Sequence, residues 1–176
     1  MSPSVKTLCC DKVQYMFSAA LLFVNVMLYI SAMIFPVMHK YIGTIISLFI
    51  ITFLIRGVMI IINEKQKKER KEEYALSNGW LDLYGMPRKL RIVLLLSVGV
   101  AALSFIITTQ LFLKDGGPEM IDGAYWIKNH GVMVREINQQ EYMNLCKAET
   151  CFFVGHQLFF NGLFVAYFGT EHTSKS

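Results

Sequence analysis

The sequence is poor in charge: Asp, Glu, Lys and Arg make up 17% of its 176 residues, against about 25% in a typical soluble domain. Together with an apolar fraction of 54%, this shortage excludes intrinsic disorder, which needs high charge and low hydrophobicity. Twelve glycines and four prolines are too few for a collagen-like chain, and four cysteines are too few for a disulfide scaffold. The composition therefore indicates a membrane protein.

Four long apolar runs supply candidate membrane spans, because a bilayer-spanning helix needs about 20 mostly apolar residues. Backbone polar groups in lipid must be satisfied within the segment, which favours helices, and none of the runs shows the alternation of a strand. We predict an all-α membrane protein. It forms a four-transmembrane-helix bundle, a single integral membrane domain covering residues 1–176. The predicted spans are residues 13–38, 42–62, 92–113 and 151–168.

Basic residues in the connections predict the orientation of the bundle. An N-terminus inside the cell places most of the 17 lysines and arginines on the cytoplasmic side, as the positive-inside rule requires. We therefore expect both termini and the charged loop 63–91 in the cytoplasm, and the connection 114–150 on the far side. Arg56 falls inside the second run, about 9 Å from its cytoplasmic end by helical rise, and we expect its side chain to snorkel towards that surface.

The connection 114–150 predicts a small folded module. Two stretches rich in β-branched and aromatic residues, at 124–128 and 132–137, flank a turn with His130-Gly131, which is typical of a β-hairpin. The connection opens with a breaker cluster, Asp115-Gly116-Gly117-Pro118, which indicates the end of the third helix. A capping box from Asn138 to Glu141 then starts a helix, and its pattern continues into the fourth span. This helical stem projects past the membrane surface, and the extracytoplasmic hairpin packs against it.

The same connection contains the motif Y-x3-NHG-x3-REI-x3-EY over residues 125–142. The motif resembles a segment of uncharacterised bacterial polytopic membrane proteins with four spans. The resemblance implies a location in the bacterial inner membrane and carries no activity with it.

Small residues recur along three spans at helical spacing. Between helices in lipid, close backbone approach decides packing, so such stripes mark helix interfaces. We therefore predict a compact bundle. The stripes are Cys151, Gly155, Gly162, Ala166 and Gly169 in the fourth span, Ser97, Ala101, Ser104 and Thr108 in the third, and Ser18, Asn25 and Ala32 in the first.

Polar side chains within the spans allow two interpretations. They are interhelical glue, worth about 0.6 kcal/mol per contact, or they line a solute path. Gln157 and Asn161 lie opposite the glycine stripe of their helix, and Asn25 is their natural partner by depth. His156 is the one ionisable group of the set, which makes it a functional candidate. The set comprises Asn25, His156, Gln157 and Asn161.

Motifs of catalysis are missing from the sequence. It has no nucleophile elbow, zinc-protease motif, Walker loop or dinucleotide fingerprint, and its four histidines show no metal-ligand spacing. No carboxylate lies inside a span, which argues against a proton-driven antiporter, and no base-reading motif or dominant basic patch points to nucleic acid. We expect a protein that is not an enzyme and that uses neither a cofactor nor a metal.

Two functions fit these observations. The first is a non-catalytic membrane protein that binds a protein partner, or a second copy of itself, through its hairpin, as an accessory, regulatory or toxin-immunity protein does. Its expected contact residues are Tyr125, Trp126, His130 and Arg135. The alternative is a small oligomeric transporter or channel using Asn25, His156, Gln157 and Asn161, since four short spans seldom enclose a pore alone.

Overall fold

The computed structural model describes residues 3–69 and 86–174, so most of the loop expected at 63–91 lies outside the described residues. Helices account for most of the described chain, and a small antiparallel sheet precedes the last helix. The helices are α1 (Pro3–Ile34), α2 (Ile42–Glu69), α3 (Arg88–Asp115) and α4 (Gln139–Ser174), with a short 3-10 helix at Pro36–Tyr41. The strands are β1 (Gly117–Ile121), β2 (Ala124–Asn129) and β3 (Val132–Ile137).

All four α-helices contain a segment long and apolar enough to cross a membrane, which confirms the expected number of candidate spans. These segments are Lys12–Ile34, Met38–Ile62, Arg88–Gln110 and Gln139–Thr170, the second of which also includes the end of the 3-10 helix. Helix α4 has 36 residues and is therefore about 54 Å long, more than the roughly 30 Å of hydrocarbon in a bilayer. One end of α4 is therefore long enough to form the predicted stem.

The first predicted span, 13–38, is too long at its C-terminal end. Helix α1 ends at Ile34, and Phe35 is extended, with φ −111° and ψ 109°. Pro36 then opens the 3-10 helix. Steric conflict with a following proline ring drives a residue out of the helical region, while the fixed φ of proline suits a first helical position. The proline therefore sets this boundary, although the apolar pattern continues through it.

Helix α4 lies at the centre of the bundle. It packs along both α1 and α3, while α2 contacts it more sparsely. Buried residues consequently occur around the whole circumference of α4, whereas α2 presents many exposed apolar side chains. The prediction that the fourth span is enclosed by protein on more than one side is confirmed.

The predicted stripes of small residues meet at the α3–α4 interface. A β-carbon added at Gly155 would lie 2.8 Å from Oγ of Ser104, and one at Gly169 would lie 2.6 Å from Cδ1 of Leu90. Such separations are shorter than van der Waals contact, so the facing side chain would have to shift to admit even a methyl group at either position. Ser104 also shares a hydrogen bond of 2.7 Å with the hydroxyl of Tyr29, which joins α1 to α3 at the same level. Small residues thus mark the helix interface, as expected.

The sheet has three strands in the order β1-β2-β3, where the sequence predicts only the β2–β3 hairpin. The breaker cluster does end α3 at Asp115, but strand β1, which the sequence does not predict, begins within it at Gly117. Pro118 is tolerated because β1 is an edge strand, where a missing N–H breaks no ladder. The overlooked signal is Asp122-Gly123, which forms the turn that connects β1 to β2. Both residues have positive φ, 50° and 82°, as in an Asp-Gly hairpin turn.

The sheet is fixed to the first turns of α4. Ile127 and Ile137 form a buried cluster with Leu145 of α4, and the rings of Tyr125 and Tyr142 lie 4.7 Å apart between centroids. The backbone N–H of Glu141 donates to Oδ1 of Asn138 at 2.8 Å, which confirms Asn138 as the helix cap. A capping box would also have the Glu141 carboxylate reach back to the backbone of Asn138. In the structure this carboxylate pairs with Arg135 instead.

Candidate functional site

The four residues expected to contact a partner lie on different parts of the sheet. Tyr125 lies on the face of β2 that packs on the stem. Arg135 holds Glu141 through Nη2 to Oε1 at 2.5 Å and Nη1 to Oε2 at 3.3 Å. Because alternate residues of a strand point to opposite faces, Trp126 lies on the other face, and His130 is exposed in the β2–β3 turn with φ 48°. Tyr125 and Arg135 therefore help to dock the sheet, and Trp126 and His130 remain candidates for external contact.

Strand β3 carries apolar residues that the sequence analysis did not single out. Val132, Met133 and Val134 are 66%, 51% and 50% exposed. Ile127 pairs with Arg135 and Lys128 with Met133, so Val134 has no partner on β2 and forms a bulge. The available signal was the unbroken run Val-Met-Val: a strand with one face in a core alternates apolar and polar residues, and this run does not.

The two edges of the sheet differ in chemistry. On β1, Pro118 has no backbone N–H to offer a neighbouring strand, and Glu119 forms an ion pair of 2.8 Å with Lys128 of β2. Strand β3 contains no proline, and its residues 132–136 are exposed. Unpaired strand edges template the addition of another strand unless they are blocked. Of the two edges, β3 is therefore the better suited to pair with a partner.

Inside the helices, Arg56 is the principal buried polar group, at 1% exposure. The expectation that it snorkels to the surface is wrong. Its Nη1 donates a hydrogen bond to Oδ1 of Asn161 on α4, and its guanidinium carbon lies 4.8 Å from the ring centroid of Phe164 and 5.6 Å from that of Phe17. The rotation of α2 turns the side chain into the bundle, where an acceptor and a ring on α4 and a second ring on α1 stabilise the cation.

Two of the other polar side chains predicted within the spans, Gln157 and His156, are also hydrogen-bonded within the bundle. Gln157 is buried, and its Nε2 donates to the carbonyl of Ile45 at 3.4 Å. His156 is half-buried, with Nδ1 2.8 Å from the carbonyl oxygen of Phe152. Asn25 is buried on α1, but the partners that the structure gives to Asn161 and Gln157 are on α2. These separate bonds favour a packing role over a single polar path.

A further titratable pair joins the 3-10 helix to α4. Nδ1 of His39 lies 3.6 Å from Oε2 of Glu149, and both side chains are about one quarter to one third exposed, at 25% and 31%. The pair ties the α1–α2 connection to the stem. Among residues 3–69 and 86–174, no group of three or more His, Cys, Asp or Glu side chains could hold a metal ion.

Comparison with protein-family models, curated proteins and solved structures found no match to this chain. No family is therefore assigned, and the resemblance of residues 125–142 to bacterial polytopic membrane proteins stays an expectation.

Proposed function

We propose that this chain is a non-catalytic membrane protein that binds a protein partner through the outer edge of β3. In this proposal the chain lies in the bacterial inner membrane with both termini in the cytoplasm, and the sheet is outside. The role is that of an accessory, regulatory or toxin-immunity protein. The partner adds an extended segment alongside β3, since main-chain hydrogen bonds at a sheet edge give affinity and side-chain pockets give specificity.

The observation that carries the proposal is the exposed run Val132–Val134 on an edge without proline. Three adjacent apolar side chains that are at least half exposed are costly in water, at about 25 cal/mol per Å² of apolar surface. They are also held rigidly, because the sheet packs on the α4 stem through Ile127. A preorganised apolar edge loses little conformational entropy on binding, which favours affinity.

The proposal is tested by photo-crosslinking in membranes of the native host. A benzophenone amino acid is placed at Met133 on β3, and at Met120 on β1 as the matched control, since Met120 is similarly exposed at 59%. We expect one defined adduct from position 133 and none from position 120. Adduct mass separates a foreign partner from a second copy of the chain.

Charge substitution provides the second arm of this test. Val132→Lys should abolish the adduct at position 133, because lysine on an edge strand opposes strand addition. The corresponding change on the opposite edge, Met120→Lys, should leave it intact. Equal adducts from both edges, no adduct at position 133, or an adduct insensitive to Val132→Lys would each contradict binding at β3.

A further inference from the structure

The guanidinium of Arg56 is only partly satisfied by the chain. Nη1 is bonded to Asn161, whereas Nε and Nη2 are buried and have no hydrogen-bond partner among the described residues. A buried donor without an acceptor loses its hydration and gains nothing in return, at a cost that rises when the group is charged. The described part of the chain therefore supplies no acceptor for Nε and Nη2 of Arg56.

The two unbonded nitrogens lie on the same edge of the planar guanidinium. Their N–H bonds on that edge run nearly parallel, which is the fork that binds both oxygens of a carboxylate or phosphate. Asn161 is bonded to Nη1, on the opposite side, and therefore does not use the donors of this edge. The two N–H donors of Arg56 that lack an acceptor thus have the geometry of an oxyanion-binding site.

Among the described side chains, no acidic group pairs with Arg56. None of the four predicted spans contains Asp or Glu, and Asn161 is a neutral acceptor. The rings of Phe17 and Phe164 offset part of the cost through cation–π attraction. Charged side chains within a membrane are expensive and normally pair with an opposite charge or line a polar cavity.

We propose that Arg56 binds the phosphate of an anionic ligand, held bidentately by Nε and Nη2. Arg56 lies six residues from Ile62, where the apolar segment of α2 ends, a distance of about 9 Å along the helix. A phospholipid headgroup drawn between the helices reaches this depth, and so does free phosphate entering from the same end. This site is independent of the sheet edge and of the function proposed for it.

Two measurements distinguish a phospholipid headgroup from free phosphate as the ligand of Arg56. In the first, native mass spectrometry counts phospholipids retained by protein purified in mild detergent. In the second, delipidated protein is unfolded thermally in sodium phosphate and in sodium chloride of equal ionic strength. If the ligand is a lipid, the purified chain retains phospholipid. If it is free phosphate, the unfolding midpoint rises in phosphate relative to chloride, because a ligand that binds only the folded state stabilises it.

Arg56→Gln removes the charged fork and should lower occupancy at least about tenfold, since removing one partner of a buried charge pair is strongly unfavourable. Arg56→Lys keeps the charge without the fork and should retain part of the binding. Lys12→Gln is the matched control: it removes a positive charge near the start of the first apolar segment and should leave occupancy unchanged.

The possible results distinguish a lipid site, a free-phosphate site and the absence of either. Loss of phospholipid in Arg56→Gln but not in Lys12→Gln supports a lipid site, and a phosphate-specific rise in the wild-type midpoint supports a free-phosphate site. The proposal is overturned if the wild type neither retains phospholipid nor responds to phosphate, or if retention is the same in Arg56→Gln. If Arg56→Gln does not fold, Arg56→Lys and the wild-type phosphate measurement decide by the same criteria.

Discussion

Gly162 and Ser97 meet where α4 crosses α3, so closely that a β-carbon at position 162 would lie 2.5 Å from Oγ of Ser97 and 2.6 Å from its Cβ. Ser97 directs its hydroxyl back to the carbonyl of Val93 at 2.9 Å, which leaves its small side chain flat against the glycine. The two helices therefore approach at nearly backbone-to-backbone distance, the arrangement that dispersion forces favour in lipid.

Gly162→Ala should destabilise the bundle by about 1–3 kcal/mol, because an added methyl group overpacks the contact with Ser97. Thermal unfolding in detergent measures the change. Gly99→Ala is the matched control, since nothing lies within 4 Å of a β-carbon at that position, and it should be neutral or slightly stabilising. Adding Ser97→Gly to Gly162→Ala should restore most of the lost stability, and a double variant as unstable as Gly162→Ala alone would contradict the contact.

Asn161→Leu should destabilise the protein by about 1–3 kcal/mol, because it removes the acceptor of Nη1 and leaves the buried Arg56 charge with less compensation. The same substitution should cost far less in an Arg56→Met background, where no charge needs the acceptor. A double-mutant cycle on unfolding in detergent measures the coupling. Additive single effects would show that the Arg56–Asn161 bond contributes nothing. Asn144→Leu, on the exposed part of the stem, serves as a control.

Ile127→Ala should loosen the sheet from the stem. Ile127 is 2% exposed against Ile137 and Leu145, and truncating a buried isoleucine to alanine costs about 2–5 kcal/mol. Hydrogen exchange over residues 117–137 should accelerate, while exchange in α3 stays unchanged. The exposed Val132→Ala should leave exchange as in the wild type, and equal acceleration by both substitutions would rule out a docking role specific to Ile127.

Cysteine labelling tests the proposed orientation. In a background without the native cysteines, His130→Cys should react with a membrane-impermeant maleimide in intact cells, because His130 is exposed in the turn expected outside. Lys65→Cys should react only after permeabilisation, since Lys65 is exposed near the end of α2 on the side rich in basic residues. The reverse pattern would place the sheet in the cytoplasm.

Local patterns were sufficient for several elements. The β2–β3 hairpin was predictable because His130-Gly131 accepts the positive φ of a two-residue turn, 48° and 87°, between two β-rich stretches. The cap at Asn138 depends on residues three apart. By contrast, the role of Glu141 depended on Arg135 lying opposite it, which only the docking of the sheet decides. For the same reason, the exposed run Val132–Val134 can be interpreted as a contact surface only once β3 is known to be an edge strand.

The amino-acid sequence alone determined the number of apolar helices and the small residues that line their contacts, because hydropathy and helical periodicity are properties of short segments. The tertiary structure decided that α4 is the central helix and that Arg56 faces Asn161 across the bundle. Such pairings depend on how each helix is rotated about its axis and on which neighbour it meets. That information resides in the packing of whole helices against one another, and no short segment contains it.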